Sequence, residues 1–148
     1  MYHKPFEPEL YEKYDNIGKQ SLLSFLTYKG HRIKDTEENY YADVLSEKDG
    51  IEYYHEVEVR ASWKGPWPLH WTELRLPSRK RRLIQKHESV LFYVFRNDLK
   101  EFFIVHSKEL TDDKLKVAYG PNIAAGEHFF HIPISRTKFV QLRNGKWI

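Results

Sequence analysis

The spacing of apolar residues changes several times along the chain, and each spacing predicts an element. Between about residues 8 and 29, Leu10, Tyr14, Ile17, Leu22, Phe25 and Leu26 recur near the 3.6-residue period of a helix with one buried face. Pro8 suits its first turn and Gly30 its C-terminal cap, while Gly18 is a weak point within it. Residues 31–34 read as a short strand and 39–60 as a hairpin. Val90–Phe95 and Glu101–His106 are nearly continuous apolar runs, the pattern of central strands covered on both faces. Leu74-Arg75-Leu76, Phe129–Ile134 and Phe139–Ile148 predict further strands, the last interrupted by an Asn144-Gly145 turn. Pro77-Ser78, with Ser78 as N-cap, opens a short basic helix to about Gln85, and the polar stretch 107–127 holds a short helix near 109–116. This order predicts one domain over residues 1–148. Its class is α/β or α+β, a mixed central β-sheet flanked by helices.

The hairpin carries the chemistry. Tyr40-Tyr41-Ala42-Asp43-Val44-Leu45 and His55-Glu56-Val57-Glu58-Val59-Arg60 flank Ser46-Glu47-Lys48-Asp49-Gly50-Ile51, and Asp-Gly is a strong two-residue turn signal. With Asp49 and Gly50 as the turn, Lys48 faces Ile51, and stepping outward brings Asp43 opposite Glu56. Directly opposed residues share a sheet face with Cβ atoms roughly 5 Å apart. Glu58 joins that face because strand side chains repeat with a period of about 2. A four-residue loop preserves this pairing, whereas a three-residue loop puts Asp43 opposite His55 and on the other face. Like charges so placed repel, and a hard divalent cation that seeks carboxylate oxygens resolves the conflict. The competing reading is a solvated strand face bearing Tyr54, Glu56, Glu58 and Arg60.

Charge and composition sharpen this. The net charge is only +3, from 24 Lys and Arg against 21 Asp and Glu, but its distribution is uneven. Ser78-Arg79-Lys80-Arg81-Arg82, with Arg75, Lys86 and Lys64 nearby, is a basic run, and acids gather at 35–38 and 52–58. An acidic patch near a basic ridge suits a metal site that meets a polyanion. Trp63, Trp67 and Trp71 sit four apart in a segment where Pro66 and Pro68 forbid a helix. Those rings either cap the core edge or stack on unpaired bases. No cysteine is present, so disulfides and thiolate metal sites are excluded, and none of the eight histidines stands in a His-x-x-x-His spacing. Without a run of 18 or more apolar residues or an apolar N-terminal core, no membrane span or signal peptide is expected, and the expected location is cytoplasmic.

Across about residues 10–106 the pattern resembles the PD-(D/E)XK nuclease superfamily, with its restriction-endonuclease-like fold. The opening helix to Thr27-Tyr28-Lys29-Gly30-His31-Arg32-Ile33, the Asp43 strand, the Asp-Gly hairpin, Glu56-Val57-Glu58 and the following helix and strands carry the likeness. The resemblance implies Mg²⁺ or Mn²⁺ held by Asp43 and Glu56, with Glu58 a third ligand or a base for the attacking water. Glu58 stands where the family usually has Lys, so Arg60 or Lys64 is expected to reach back. The opening helix has Lys19 and Gln20 where many relatives carry an inward Glu. The implied activity is hydrolysis of DNA, with Arg75, Arg79, Lys80 and Arg82 on its phosphates and, as in many relatives, subunits that pair into a homodimer. The alternatives are a protein of the same fold that binds nucleic acid or assembles without cleaving, and a protein-interaction domain that leaves DNA unbound at low salt.

Overall fold

A computed structural model describes residues 8–36, 42–87, 89–117 and 126–148. Tyr40, Tyr41, Glu37 and Glu38 of the expected hairpin and acidic stretch lie outside the described residues. The architecture is mixed α+β. Helix α1 (Pro8–Tyr28) leads to β1 (Arg32–Asp35), β2 (Val44–Lys48), β3 (Ile51–Arg60) and β4 (Glu73–Pro77). A 3₁₀ turn (Ser78–Lys80) runs into α2 (Arg81–Lys86), followed by β5 (Val90–Arg96) and β6 (Glu101–His106). Then come β7 (Leu115–Val117), β8 (His128–Pro133), β9 (Lys138–Arg143) and β10 (Lys146–Trp147).

Seven strands form one sheet in the order β1-β2-β3-β5-β6-β9-β10, and β4-β8-β7 form a second, smaller one. The large sheet is mixed, because β3 and β5 run parallel while its other pairs are antiparallel. Each face covers a separate core. Leu22, Phe25 and Leu26 of α1 pack on Val44, Val57, Tyr93, Phe95 and Phe102. On the opposite face Leu74, Leu76, Leu83, Phe130 and Ile132 pack on Val90, Phe92, Val94 and Phe103. Strand β5 feeds both cores with alternate residues, which is why its sequence is apolar throughout.

Local chemistry ends α1 as the sequence implies. Gly30 takes φ +87°, and His31 N–H reaches Leu26 O at 2.9 Å while Gly30 N–H reaches Thr27 O at 3.0 Å, a Schellman cap. The basic segment differs from expectation in one detail. Ser78 begins the 3₁₀ turn instead of capping a helix, and no side-chain cap bond closes that end. The 109–116 stretch forms 3₁₀ turns at Ser107–Glu109 and Asp112–Lys114 and then β7, in place of a helix. The small second sheet was not foreseen, since its short strands pair over long sequence separations.

Gly18 has a packing role. A Cβ there would sit 2.7 Å from Val59 Cγ2, so only glycine lets α1 lie this close to β3. Valine is stiff about χ1 and cannot swing away cheaply. Alanine would gain up to about 1 kcal/mol of helix propensity, but overpacking costs about 1–3 kcal/mol. Gly18→Ala is therefore expected to lower the urea midpoint, and Val59→Ala in the same chain to recover part of the loss. A Gly18→Ala protein as stable as the parent would contradict this packing account.

Candidate active site

The Asp49-Gly50 turn decides the site's register. Both residues have positive φ, 53° and 78°, as a type I′ hairpin requires. Lys48 pairs with Ile51 and Val44 with His55, the two-residue register throughout. Asp43 lies just before β2, its N–H donating to His55 O at 3.0 Å. Its carboxylate is fixed too, with Oδ2 accepting Val57 N–H at 2.8 Å. Asp43 is only 6% exposed.

Glu56 meets it there. The two carboxyl groups are close enough for the charge of Glu56 to act on Asp43. Burial, and next the Glu56 charge, push the Asp43 carboxyl up to about 7, while the Val57 N–H and Lys19 pull the other way. Lys80 approaches Glu56 from the second layer, its Nζ 2.8 Å from Oε1, with both side chains mostly buried. Glu56, Glu58 and Lys80 rim a shallow depression whose floor includes Leu76, Phe92 and Val94. Lys80 was expected on DNA phosphates. Its 3₁₀ turn instead follows β4 directly and drops the ammonium onto the dyad, a contact 24 residues apart that periodicity does not reveal.

The other candidates are placed differently. Glu58 shares the face of Glu56 but its Oε1 accepts from Arg60 Nη2 at 3.3 Å. The same guanidinium nitrogen donates to the Arg75 carbonyl, so Arg60 bridges β3 to β4 instead of reaching the dyad. Lys64 is exposed in the loop after β3. Arg75 and Arg82 are exposed, and Arg79 lies 3.7 Å from Glu127 with its side chain 65% exposed. Among the described residues no three His, Asp or Glu side chains are gathered as a metal cluster, so the candidate donor set is the Asp43–Glu56 pair. Two carboxylates leave most coordination positions of a hard cation to water and a phosphate, which suits Mg²⁺ better than an all-protein cage.

The far face of the hairpin holds a polar chain that the sequence reading missed. Tyr93 O–H, His55 Nδ1 and Nε2, Ser46 Oγ and His31 Nδ1 are linked at 2.9, 2.7 and 2.8 Å. Burial raises Tyr93 well above the usual phenol range, so its hydroxyl stays protonated. Neutral His55 donates from one ring nitrogen and accepts at the other, and the Tyr93 and Ser46 hydroxyls satisfy both. Burial, and then the charge of His31, lower His55 to about 3. The available signal was parity, because His55 shares the strand face of Val57, the apolar side.

Asp43 and His55 pull stability in opposite directions with pH. Asp43 is raised in the fold, so its contribution is full below the unfolded carboxylate value near 4 and is lost as pH rises through about 7. His55 is lowered, so its contribution is full above the unfolded value near 6.5 and is lost as pH falls toward 3. In metal-free protein Asp43→Asn keeps the Val57 hydrogen bond and removes the repulsion. The variant should melt above the parent at pH 8, by roughly 2–4 °C per kcal/mol relieved, converge with it near pH 4, and keep the His55 acid limb. A variant melting below the parent at pH 8 would make Asp43 a structural partner and nothing more. Glu56→Gln is the weaker probe, since it also strands the Lys80 ammonium. Compared with models of known protein families and with curated proteins, the chain matches none of them.

Proposed function

We propose that the protein is a divalent-metal-dependent nuclease of restriction-endonuclease-like organisation that hydrolyses DNA phosphodiester bonds. The observation that carries this reading is the buried Asp43–Glu56 carboxyl pair with the Lys80 ammonium set against it. A desolvated Asp43 beside a second carboxylate costs stability once charged, and such unfavourable electrostatics concentrate at sites built for chemistry. Mg²⁺ or Mn²⁺ bound there would lower the pKa of a coordinated water and neutralise charge on the phosphate oxygens. Asp43 is oriented for this by Val57 N–H, and Glu56 by the strand. Lys80 takes the ammonium role left open by Glu58: freed from Glu56, it reaches a non-bridging phosphate oxygen or the attacking water. Glu58 sits one strand repeat away, placed to accept a proton. Arg75, Arg79 and Arg82 provide exposed guanidinium groups for phosphates away from the cut.

A second reading keeps the fold and the DNA contacts without cleavage. The Lys80–Glu56 ion pair favours it, because it already neutralises one of the two acids.

Incubating the parent protein with supercoiled plasmid and with single-stranded circular DNA, in Mg²⁺, Mn²⁺ or EDTA, separates the two. Metal-dependent nicking is expected, abolished by Asp43→Asn with binding intact or tighter. Lys80→Ala should slow cleavage at least about 100-fold, within the range of a positioned acid–base group, while the salt slope of binding barely moves. Arg79→Ala with Arg82→Ala should do the reverse, flattening that slope by about 0.9 logarithmic units per lost duplex contact. Binding without cleavage in either metal would establish the second reading, and no binding at low salt would exclude both.

A further inference from the structure

The three tryptophans after β3 have unequal roles. Trp63 is 2% exposed and lies in the core against Phe103, the ring centroids 5.3 Å apart and nearly parallel. Trp67 packs edge-on against Trp63 at 5.0 Å and Phe103 at 4.9 Å. Trp71 in turn packs edge-on against Trp67 at 5.2 Å yet is 45% exposed, beside a wholly exposed Leu69. The pile is rigid. Trp67 Nε1–H donates to Trp71 O at 2.8 Å, and Trp71 N–H donates to Pro68 O at 3.0 Å. Ile134 N–H anchors the far end of the loop through Thr72 O at 2.9 Å. An aromatic pile rooted in the core thus ends on a half-exposed indole whose backbone N–H and C=O are both hydrogen-bonded within the loop.

The charge around it indicates the partner. Segments 59–72 and 128–148 supply the loop and the strands beside it, and every Asp or Glu is absent from both. They carry Arg60, Lys64, Arg136, Lys138, Arg143 and Lys146. Glu73, just past the loop, is turned onto His131 at 3.0 Å. A protein partner would be met by an apolar core within a rim of both signs. The acids that border these segments are each held by a cation or histidine, Glu58 by Arg60, Asp98 by Arg96 and Glu73 by His131. An aromatic face beside this excess of cations matches a nucleic-acid strand, whose bases offer π-faces and whose phosphates offer only negative charge.

We infer that Trp71, buttressed by Trp67 and Trp63, is a stacking platform for an unpaired base, so the preferred nucleic acid carries a single-stranded segment. The inference rests on the nuclease reading for its partner class but not on cleavage. Strand β3 links the two places. Four residues at roughly 3.3 Å each set Arg60 about 13 Å from Glu56, and the loop begins just beyond. Leu69 adds an apolar wedge of the kind that parts neighbouring bases.

The test measures binding of fluorescent oligothymidylate, and of a blunt duplex of the same length, by the full chain in EDTA. Trp71→Leu keeps bulk and apolar character but removes the π-face. It should weaken oligothymidylate binding about 5- to 150-fold, the range for one base–aromatic stack, and leave duplex binding unchanged. Trp71→Phe should restore most of the loss. Oligothymidylate binding within twofold of the parent for Trp71→Leu would overturn the inference, as would equal losses on both ligands or a parent that ignores oligothymidylate. A change from dimer to monomer in Trp71→Leu would also overturn it, assigning the face to a second copy of the chain. The metal-dependent cleavage assay stands apart from all four outcomes, so failure here leaves the Asp43–Glu56 reading to its own test.

Discussion

Strand β3 is the element on which the rest of the structure depends. It pairs antiparallel with β2 and parallel with β5, and its two faces look into different layers. Val57 and Val59 turn to α1, where Gly18 allows the helix to approach. Tyr54, Glu56 and Glu58 turn to the side covered by β4, the basic 3₁₀ turn and α2. A parallel partner cannot follow through a tight turn, so the chain between β3 and β5 must cross a face of the sheet. That crossing carries the aromatic loop and Lys80, and it delivers a cation to the acids of β3.

The site stores electrostatic tension that the two cores sustain. Asp43 is desolvated beside Glu56, and Lys80 offsets only part of the resulting charge. Replacing acids by apolar residues would suit stability alone, since buried ion pairs rarely outperform hydrophobic packing. Behind the same hairpin, the Tyr93–His55–Ser46–His31 chain satisfies its buried polar atoms. It ties β2, β3, β5 and the residue that precedes β1 together, so the β2–β3 register is held from this face too.

On the proposed nuclease reading, phosphate positioning and reaction fall to different parts of the fold. Exposed guanidinium groups on β4 and α2 lie to one side of the dyad. Trp71 lies beyond the end of β3, in a loop without Asp or Glu. Arg60 between them is committed to Glu58 and the Arg75 carbonyl, a clasp that fixes β4 over β3.

Elements with a strong local signal were legible in the chain itself. The 3.6-period run with Pro8 and Gly30 marked α1, alternation marked β3, and continuous apolar runs marked β5 and β6. Asp49-Gly50 set the hairpin register from Val44–His55 to Lys48–Ile51, because two adjacent positive φ angles admit few other turns. What the chain could not disclose depends on contacts between distant segments. The pairing of β4, β8 and β7 into a second sheet, the arrival of Lys80 at Glu56, the diversion of Arg60 to Arg75 and the unequal burial of three evenly spaced tryptophans all follow from layer packing. Local spacing specifies which way a side chain points. Only the assembled layers decide what it meets there.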